Sequence, residues 1–381
     1  MNKVSIVFVI GSLNIGGAEK SLVNLLQLLD YNRIDAEVVV FVKNGTLESS
    51  VPKEVKITHI SMPSLPLGKK IRYIIERLRK RNTHPVQIHW KYIKKLFSPI
   101  EKKYDIGIAY NQGFATYFTA TYIKSNRKFF WLNSDYIKAK YDVDLDIPYF
   151  KKYDKVVAVT EFAHSTLQKS IETRGFQIPI TIIKDISNKK SILELSTKQQ
   201  TPAFNKNYIN ITTIGRLVPP KGLELAVSAC RILVDRGYPI KWHIIGEGPE
   251  RKKLEILINK NKLNEHLFLL GAKGNPYNFV KNSDIYVQTS LFEGLGLTLI
   301  EAKYLLKPIV TTDFDTAFEL IENSETGLIV SKDPISISNG VEKIINDASL
   351  KEKLVSNLNK QSDNDTEVSL NSFNSLVFDE N

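Results

Sequence analysis

Residues 284–308 read DIYVQTSLFEGLGLTLIEAKYLLKP, and the change of character along this stretch sets the fold class. A short run of β-forming residues ends at Gln288, a loop containing two glycines follows, and a helix is expected from Thr298 to Leu306. A strand that runs through a short loop into a helix is half of a β–α–β unit, and its second strand is expected at PIVTT, 308–312. Glu293 lies on the loop and Glu301 inside the helix, in an E-x7-E pattern. Amides of Gly294, Leu295, Gly296, Leu297 and Thr298 at the helix start suit a diphosphate, and the Glu301 carboxylate can accept hydrogen bonds from two ribose hydroxyls. Glu293 is placed to reach a sugar.

The same alternation extends in both directions. YINITTIG (208–215), a helix from Leu223 to Arg236, IKWHIIG (240–246), HLFLLG (266–271) and TGLIV (326–330) make one α/β series. An earlier series runs through VSIVFVI (4–10), a helix from Ala18 to Leu29, AEVVVFV (36–42), VKITHI (55–60), DIGIAY (105–110), KFFWL (128–132) and KVVAVT (155–160). Strands separated by helices indicate parallel sheets covered on both faces. The 381 residues are about right for two domains of common size. The expected fold class is α/β with two Rossmann-like domains: residues 1–190, a polar linker over 191–206, residues 207–345, and a helical tail over 346–381 that can cross back to the first domain.

Two further constellations bear on chemistry. In SLNIGGAEKSL (12–22) a strand ends, Gly16 and Gly17 follow, and a helix begins. This reads either as a cradle for an anion at a helix N-terminus or as a tight turn, and it lacks the G-x-G-x-x-G spacing of a dinucleotide site. In TIGRLVPPKGLELA (213–226) a strand carries Arg216 and Lys221 into a Pro- and Gly-rich loop. The two cations can converge on one phosphate, or be two solvated charges on a loop. The Asp-x-Asp triplets Asp142-Asp144 and Asp313-Asp315 could in other settings hold a metal; with Arg216 and Lys221 already supplying charge, they read as loop carboxylates and no metal or other cofactor is expected. The six histidines show no ligand spacing, and the single cysteine, Cys230, lies on the apolar face of a helix as a structural thiol.

The net charge of +11 is concentrated. Between Lys69 and Lys95 ten Lys or Arg residues face the single Glu76. Ile71, Ile74, Ile75 and Leu78 recur there at helical spacing, and Trp90, Ile93 and Phe97 repeat the pattern. Residues 69–97 are therefore expected to form basic amphipathic helices that lie on an anionic membrane surface, with a stripe packed on its own domain as the alternative. No recognition motif for nucleic acid accompanies the charge. The N-terminal apolar run has no small-residue cleavage site and reads as a first strand, and no stretch is long enough to cross a bilayer. A cytoplasmic protein, peripheral at the inner face of the cell membrane, is expected.

Taken in order, GGAE, GRLVPPKG, IIGEGPE, LFEGLGLTLIEA and TGLIV closely resemble the motifs of glycosyltransferase family 4, retaining enzymes of the GT-B fold that include bacterial surface-polysaccharide transferases. The match is ordered over roughly 208–330 and looser over 1–170. The resemblance implies two Rossmann-like domains facing across a cleft, with the nucleotide-sugar donor, a UDP-sugar, held by the C-terminal one. It places Arg216 and Lys221 on the donor diphosphate, Glu293 on the transferred sugar and Glu301 on the ribose, with Gly215 and Gly246 beside the donor and Gly16 or Gly17 capping the diphosphate. The acceptor implied is a glycan or polyprenyl-linked intermediate bound by the N-terminal domain. Where many members have His in a W-[IL]-H-S-D-like segment, this chain reads WLNSDY, so Asn133 stands near the donor sugar as a residue that cannot carry a proton. Lys307 replaces a usual glycine, and TDFDTAFELI (312–321) lacks the glycines often found before Glu319. Other readings of the same phosphate contacts are an epimerase or phosphorylase of this fold, or a non-catalytic sugar-nucleotide-binding partner of another transferase.

Overall fold

The computed structural model describes residues 3–198, 204–361 and 365–379, which divide into two compact units, 1–186 with 364–381 and 187–363. The first unit contains strands β1 (Val4–Val9), β2 (Ile34–Val40), β3 (Lys56–His59), β4 (Lys103–Ala109), β5 (Lys124–Leu132), β6 (Lys155–Ala158) and β7 (Ile180–Ile182). Its helices are α1 (Gly17–Leu26), α2 (Leu67–Arg79), α3 (Pro85–Ile93), α4 (Phe114–Tyr122), α5 (Val143–Phe150) and α6 (Glu161–Glu172). The second unit contains α7 (Lys189–Lys198), β8 (Ile209–Ile214), α8 (Leu223–Asp235), β9 (Ile240–Ile245), α9 (Arg251–Lys260), β10 (Leu267–Leu269), α10 (Tyr277–Asn282), β11 (Ile285–Gln288) and α11 (Leu297–Tyr304). It continues with β12 (Ile309–Thr312), α12 (Ala317–Leu320), β13 (Leu328–Val330), α13 (Pro334–Asn346) and α14 (Ala348–Lys360), and α15 (Asp365–Phe378) returns to the first unit.

Both sheets are parallel, in the orders β3-β2-β1-β4-β5-β6-β7 and β10-β9-β8-β11-β12-β13. Parallel strands must be joined by crossovers that cover both faces, so their residues are buried on both sides. Ile6, Val7, Phe8 and Val9 are all fully buried, which is why the first strand reads as a continuous apolar run. In each sheet the chain first builds outward in one direction and then returns to build in the other. The reversal falls between β1 and β4 in the first unit and between β8 and β11 in the second.

α15 is bound to the first unit by specific contacts. Phe373 is fully buried between Phe8 and Trp131, with ring centroids 6.3 and 6.2 Å away. The Arg33 guanidinium sits 3.7 Å over the Phe378 ring, and Arg127 donates to the carbonyls of Leu376 and Val377 at the last turn, where a cation suits the helix dipole.

Several expectations need correction. The segment over 191–206 begins as α7, not as a linker: Ile192 is buried, and Asn275 donates to the Leu195 carbonyl at 2.7 Å. The three apolar residues of α7, Ile192, Leu193 and Leu195, are outweighed by the polar text around them. Residues 199–203 of that segment lie outside the described residues. The second basic stretch also differs from the expectation, because Trp90 and Ile93 on α3 are buried, and Trp90 stacks on Phe97 and meets Phe114 edge-on in the aromatic core of the first unit. Only α2 keeps its apolar stripe outside. The short edge strand β7, in the β-branched run IPITII (178–183), is not among the strands expected from the sequence.

Two carboxyl groups are enclosed in the first unit. Asp146 accepts hydrogen bonds from the hydroxyls of Tyr117, at 2.7 Å, and Tyr136. Burial pushes both Asp146 and Asp185 up to about 7. Each therefore holds a proton in the folded state at pH values where the unfolded chain has lost it, so stability is fully present below the unfolded pKa and is lost as pH rises to the folded one. In thermal unfolding these two groups contribute a downward slope of Tm between about pH 4 and pH 7, opposed in that range by the half-buried imidazoles of His84, His89 and His243, whose folded pKa is lowered. Asp146→Asn together with Asp185→Asn should flatten that slope; an unchanged slope in the double variant would refute the assignment.

The loop after β8 is held by glycine. Gly222 has φ of +58°, and a Cβ added there would lie 2.2 Å from the Thr289 carbonyl oxygen. Gly222→Ala should cost of the order of 2–4 kcal/mol in denaturant unfolding, the sum of left-handed strain and a backbone clash.

Candidate functional site

In an open parallel sheet the carboxyl ends of the two strands at the reversal point away from each other's crossovers and leave a crevice. In the second unit these strands are β8 and β11. Gly215, Arg216 and Lys221 follow β8, and Glu293 to Thr298 follow β11, so the two motifs read separately in the sequence are brought to one place.

Short contacts stitch the two loops together. Besides the Gly222 approach, the Thr289 hydroxyl donates to the Lys221 carbonyl at 3.0 Å and the Leu291 amide donates to the Pro220 carbonyl at 2.7 Å. The Lys221 Nζ is thereby set 2.5 Å from the Glu293 Oε1, with both side chains mostly buried. The same oxygen accepts from the Gln288 amide at 2.8 Å and from the Ser290 hydroxyl at 2.6 Å. Three donors on one oxygen fix the carboxylate in one orientation and offset the desolvation of a partly buried charge.

Gln288 carries this order onward. Its carbonyl oxygen accepts from the Thr298 hydroxyl at 2.8 Å, and the Tyr286 hydroxyl lies 3.3 Å from the same atom. Glu293 is thus coupled through Gln288 to the first turn of α11. Gly296, with φ of +87°, precedes that helix, and Leu295 and Leu297 are buried around it. The N-terminal amides of α11 open at the same edge as Lys221, a favourable end for an anion. Glu301, in the second turn, is buried and accepts from the Tyr277 hydroxyl at 3.1 Å. Gln288, Ser290 and Tyr277 were not singled out from the sequence. The only signal for Gln288 was a polar residue ending an otherwise apolar strand.

The strands on the other side of β8 end in a floor without side chains. The Gly246 amide donates to the Gly271 carbonyl at 3.1 Å, and a Cβ on Gly246 would lie 1.9 Å from the Gly215 carbonyl oxygen. Three backbones therefore run close together beside the crevice. Arg216 is on the same loop as Lys221 but is exposed, and its side chain makes no hydrogen bond among the described residues.

Gly16, Gly17 and Asn133 belong to the first unit, at the carboxyl ends of β1 and β5. Gly16 is extended and Gly17 opens α1. One terminal atom of the Asn133 side-chain amide lies 3.1 Å from the Tyr110 carbonyl and 3.3 Å from the Trp131 carbonyl; two acceptors require a donor there, so that atom is assigned as the nitrogen. The Asn133 backbone amide donates to the Gln112 Oε1 at 3.1 Å. With that assignment Asn133 is held at the sheet edge by its side chain as well as its backbone.

The acidic triplets are engaged elsewhere. Asp142 caps α5 by accepting from the Asp144 amide, Asp144 pairs with Arg174 at 2.6 Å, and Asp313 lies 3.4 Å from Lys332. Among the described residues no group of three or more His, Cys, Asp or Glu side chains is placed to hold a metal ion. Likewise, no helix of the described residues is long and apolar enough to cross a membrane.

Residues 196–361, which carry all the site residues of the second unit, match the family described as Glycosyl transferases group 1. The capsular polysaccharide biosynthesis glycosyltransferase CapM of Staphylococcus aureus is 32% identical over 166 residues, 42% of this chain and 43% of that protein. The poly(ribitol-phosphate) alpha-N-acetylglucosaminyltransferase of Staphylococcus aureus strain COL is 26% identical over 188 residues, 49% of this chain and 38% of that one. The chain thus spans less than half the length of these two curated relatives. The solved structure of HepE from Anabaena, in complex with UDP and glucose, superposes with a TM-score of 0.70 over 99% of this chain and 96% of that chain, at 17% identity. The likeness in structure covers the whole chain and shows the GT-B fold, two Rossmann-like α/β units, while the likeness in sequence to group 1 glycosyl transferases lies over residues 196–361.

Proposed function

We propose that this protein is a retaining glycosyltransferase that moves a sugar from a nucleotide diphosphate sugar, a UDP-sugar, to a glycan or polyprenyl-linked acceptor in surface polysaccharide biosynthesis. The observation that carries this reading is the Lys221–Glu293 pair at the strand reversal, 2.5 Å apart and facing the start of α11. A fixed cation and a fixed carboxylate beside helix amides suit a ligand that is anionic at one end and a polyol at the other. The sequence match over the same unit and the names of the relatives support the reaction class. The UDP in the HepE complex supports the choice of nucleotide.

In this reading the donor diphosphate displaces Glu293 as the partner of Lys221 and gains Arg216 and the amides of Gly294 to Thr298. Glu293, still held at Oε1 by Gln288 and Ser290, offers Oε2 to a sugar hydroxyl. Glu301 takes the ribose. The acceptor hydroxyl oxygen forms a bond to the anomeric carbon as the bond from that carbon to the diphosphate oxygen breaks. The proton of the hydroxyl passes to the departing phosphate, so no side-chain base is required and Asn133 in place of His is tolerated. Charge on the leaving group is stabilised by side chains and backbone dipoles already in place, the kind of effect that removes several kcal/mol from a barrier. Since these groups supply the positive charge, the reaction needs no metal.

Purified protein incubated with a panel of UDP-sugars should release UDP from one of them, and chelation by EDTA should leave the rate unchanged. Lys221→Ala should lower kcat/KM by about 10²–10³-fold, with Lys221→Arg retaining part of the rate. Glu293→Gln, which keeps shape and hydrogen bonds but loses the charge, should lower kcat for sugar transfer more than it weakens UDP binding. UDP binding without release from any donor would overturn the enzymatic reading, and loss of activity in EDTA restored by a divalent ion would overturn the metal-free one.

A further inference from the structure

α2 carries no buried residue. Leu67, Ile71, Ile74, Ile75 and Leu78 are 75, 50, 47, 44 and 61% exposed, a run of large aliphatic side chains that an ordinary surface helix would turn inward. At about 100° per residue these five fall within an arc of about 100°. Tyr73 and Glu76 lie on the opposite side and seat the helix on α3. The Tyr73 ring contacts His89, with centroids 5.2 Å apart, and Glu76 accepts from Lys91 at 2.9 Å and from the Tyr92 hydroxyl at 2.7 Å. The one acid of α2 is therefore spent on the side facing its own domain.

Four of the five cations of α2 take the positions between these two faces. On the same angular count Arg72 and Arg79 flank one edge of the aliphatic stripe, and Lys70 and Arg77 flank the other. Beyond the end of the helix an open cavity of about 530 Å³ continues the pattern, with Ile74 and Leu78 on its apolar lining and Arg77, Lys80, Arg81 and Lys140 among its charged groups. An apolar stripe bordered on both sides by cations, with no acid facing outward, matches a helix lying in the plane of a membrane surface. Aliphatic side chains enter the acyl boundary while the long Arg and Lys side chains reach lipid phosphates on either side. A second copy of this chain is a poorer fit, since stacking two such faces sets both cationic flanks against each other.

We infer that α2, with the adjoining cavity, is a docking surface for an anionic lipid bilayer, and that α3 serves only as its seat. The inference rests on this surface alone and is independent of the transfer reaction proposed above. The full chain should co-sediment with vesicles of equimolar phosphatidylcholine and phosphatidylglycerol and remain in the supernatant with phosphatidylcholine alone. Reversing Arg72 and Arg79 to Glu should lower the partition coefficient by about tenfold or more, since each cation near the headgroups contributes about 1 kcal/mol. Ile71→Ser with Ile75→Ser should also weaken binding, and circular dichroism melts of both variants should match the parent because the altered side chains are exposed. Unchanged partitioning in the charge-reversed protein would overturn the inference. So would binding that survives the serine substitutions in full, or a concentration-dependent dimer in solution that those substitutions dissolve.

Discussion

The approach of the loop after β8 to the loop after β11 is the constraint on which the rest of the candidate site depends. Strand order forces both loops to leave the sheet at the reversal, and Gly222 lets them touch: no Cβ stands between its backbone and the Thr289 carbonyl. With the backbones in contact, Lys221 and Glu293 meet, and the pair is distant in sequence only. The bonds from Thr289 to Lys221 and from Leu291 to Pro220 then hold the two loops as one surface. A site of this kind gains its precision from backbone placement, since one partner of each of these contacts is a main-chain group.

The polar network behind the pair explains why a charged carboxylate can be held with little exposure. Gln288 and Ser290 share the oxygen that Lys221 binds, and Gln288 in turn engages Thr298 at the start of α11. A displacement of the helix start would therefore be felt at Glu293. Buried polar networks are costly unless their members are paired, and here the strand end, the loop and the helix each contribute one partner.

The first unit carries a different balance. Its sheet edge presents Gly16, Gly17 and Asn133, with the Asn133 side-chain amide lying against the carbonyls of Tyr110 and Trp131. Its two basic segments, similar in composition, have opposite fates: α3 buries Trp90 and Ile93 in the aromatic core, and α2 leaves its aliphatic stripe in solvent. The difference comes from neighbours, because Trp90 on α3 packs among Phe97, Phe114, Tyr117 and Tyr122, whereas α2 meets α3 along the seam of Tyr73 and Glu76.

Local pattern by itself determined a good deal. Apolar runs of strand length, the glycine-bearing turns and the helical periodicities gave two α/β series, because parallel strands are buried on both faces and so read as continuous hydrophobic text. The types and order of Arg216, Lys221, Glu293 and Glu301 were also legible in the sequence. What only the tertiary structure decided was adjacency: that Lys221 binds Glu293, that Gln288, Ser290 and Tyr277 support the two acids, that 189–198 is a helix, and that one basic stripe is buried and the other is not. Periodicity reports which side of an element is apolar and carries no information on what stands opposite it. That depends on strand order and on the packing of residues far apart in the chain.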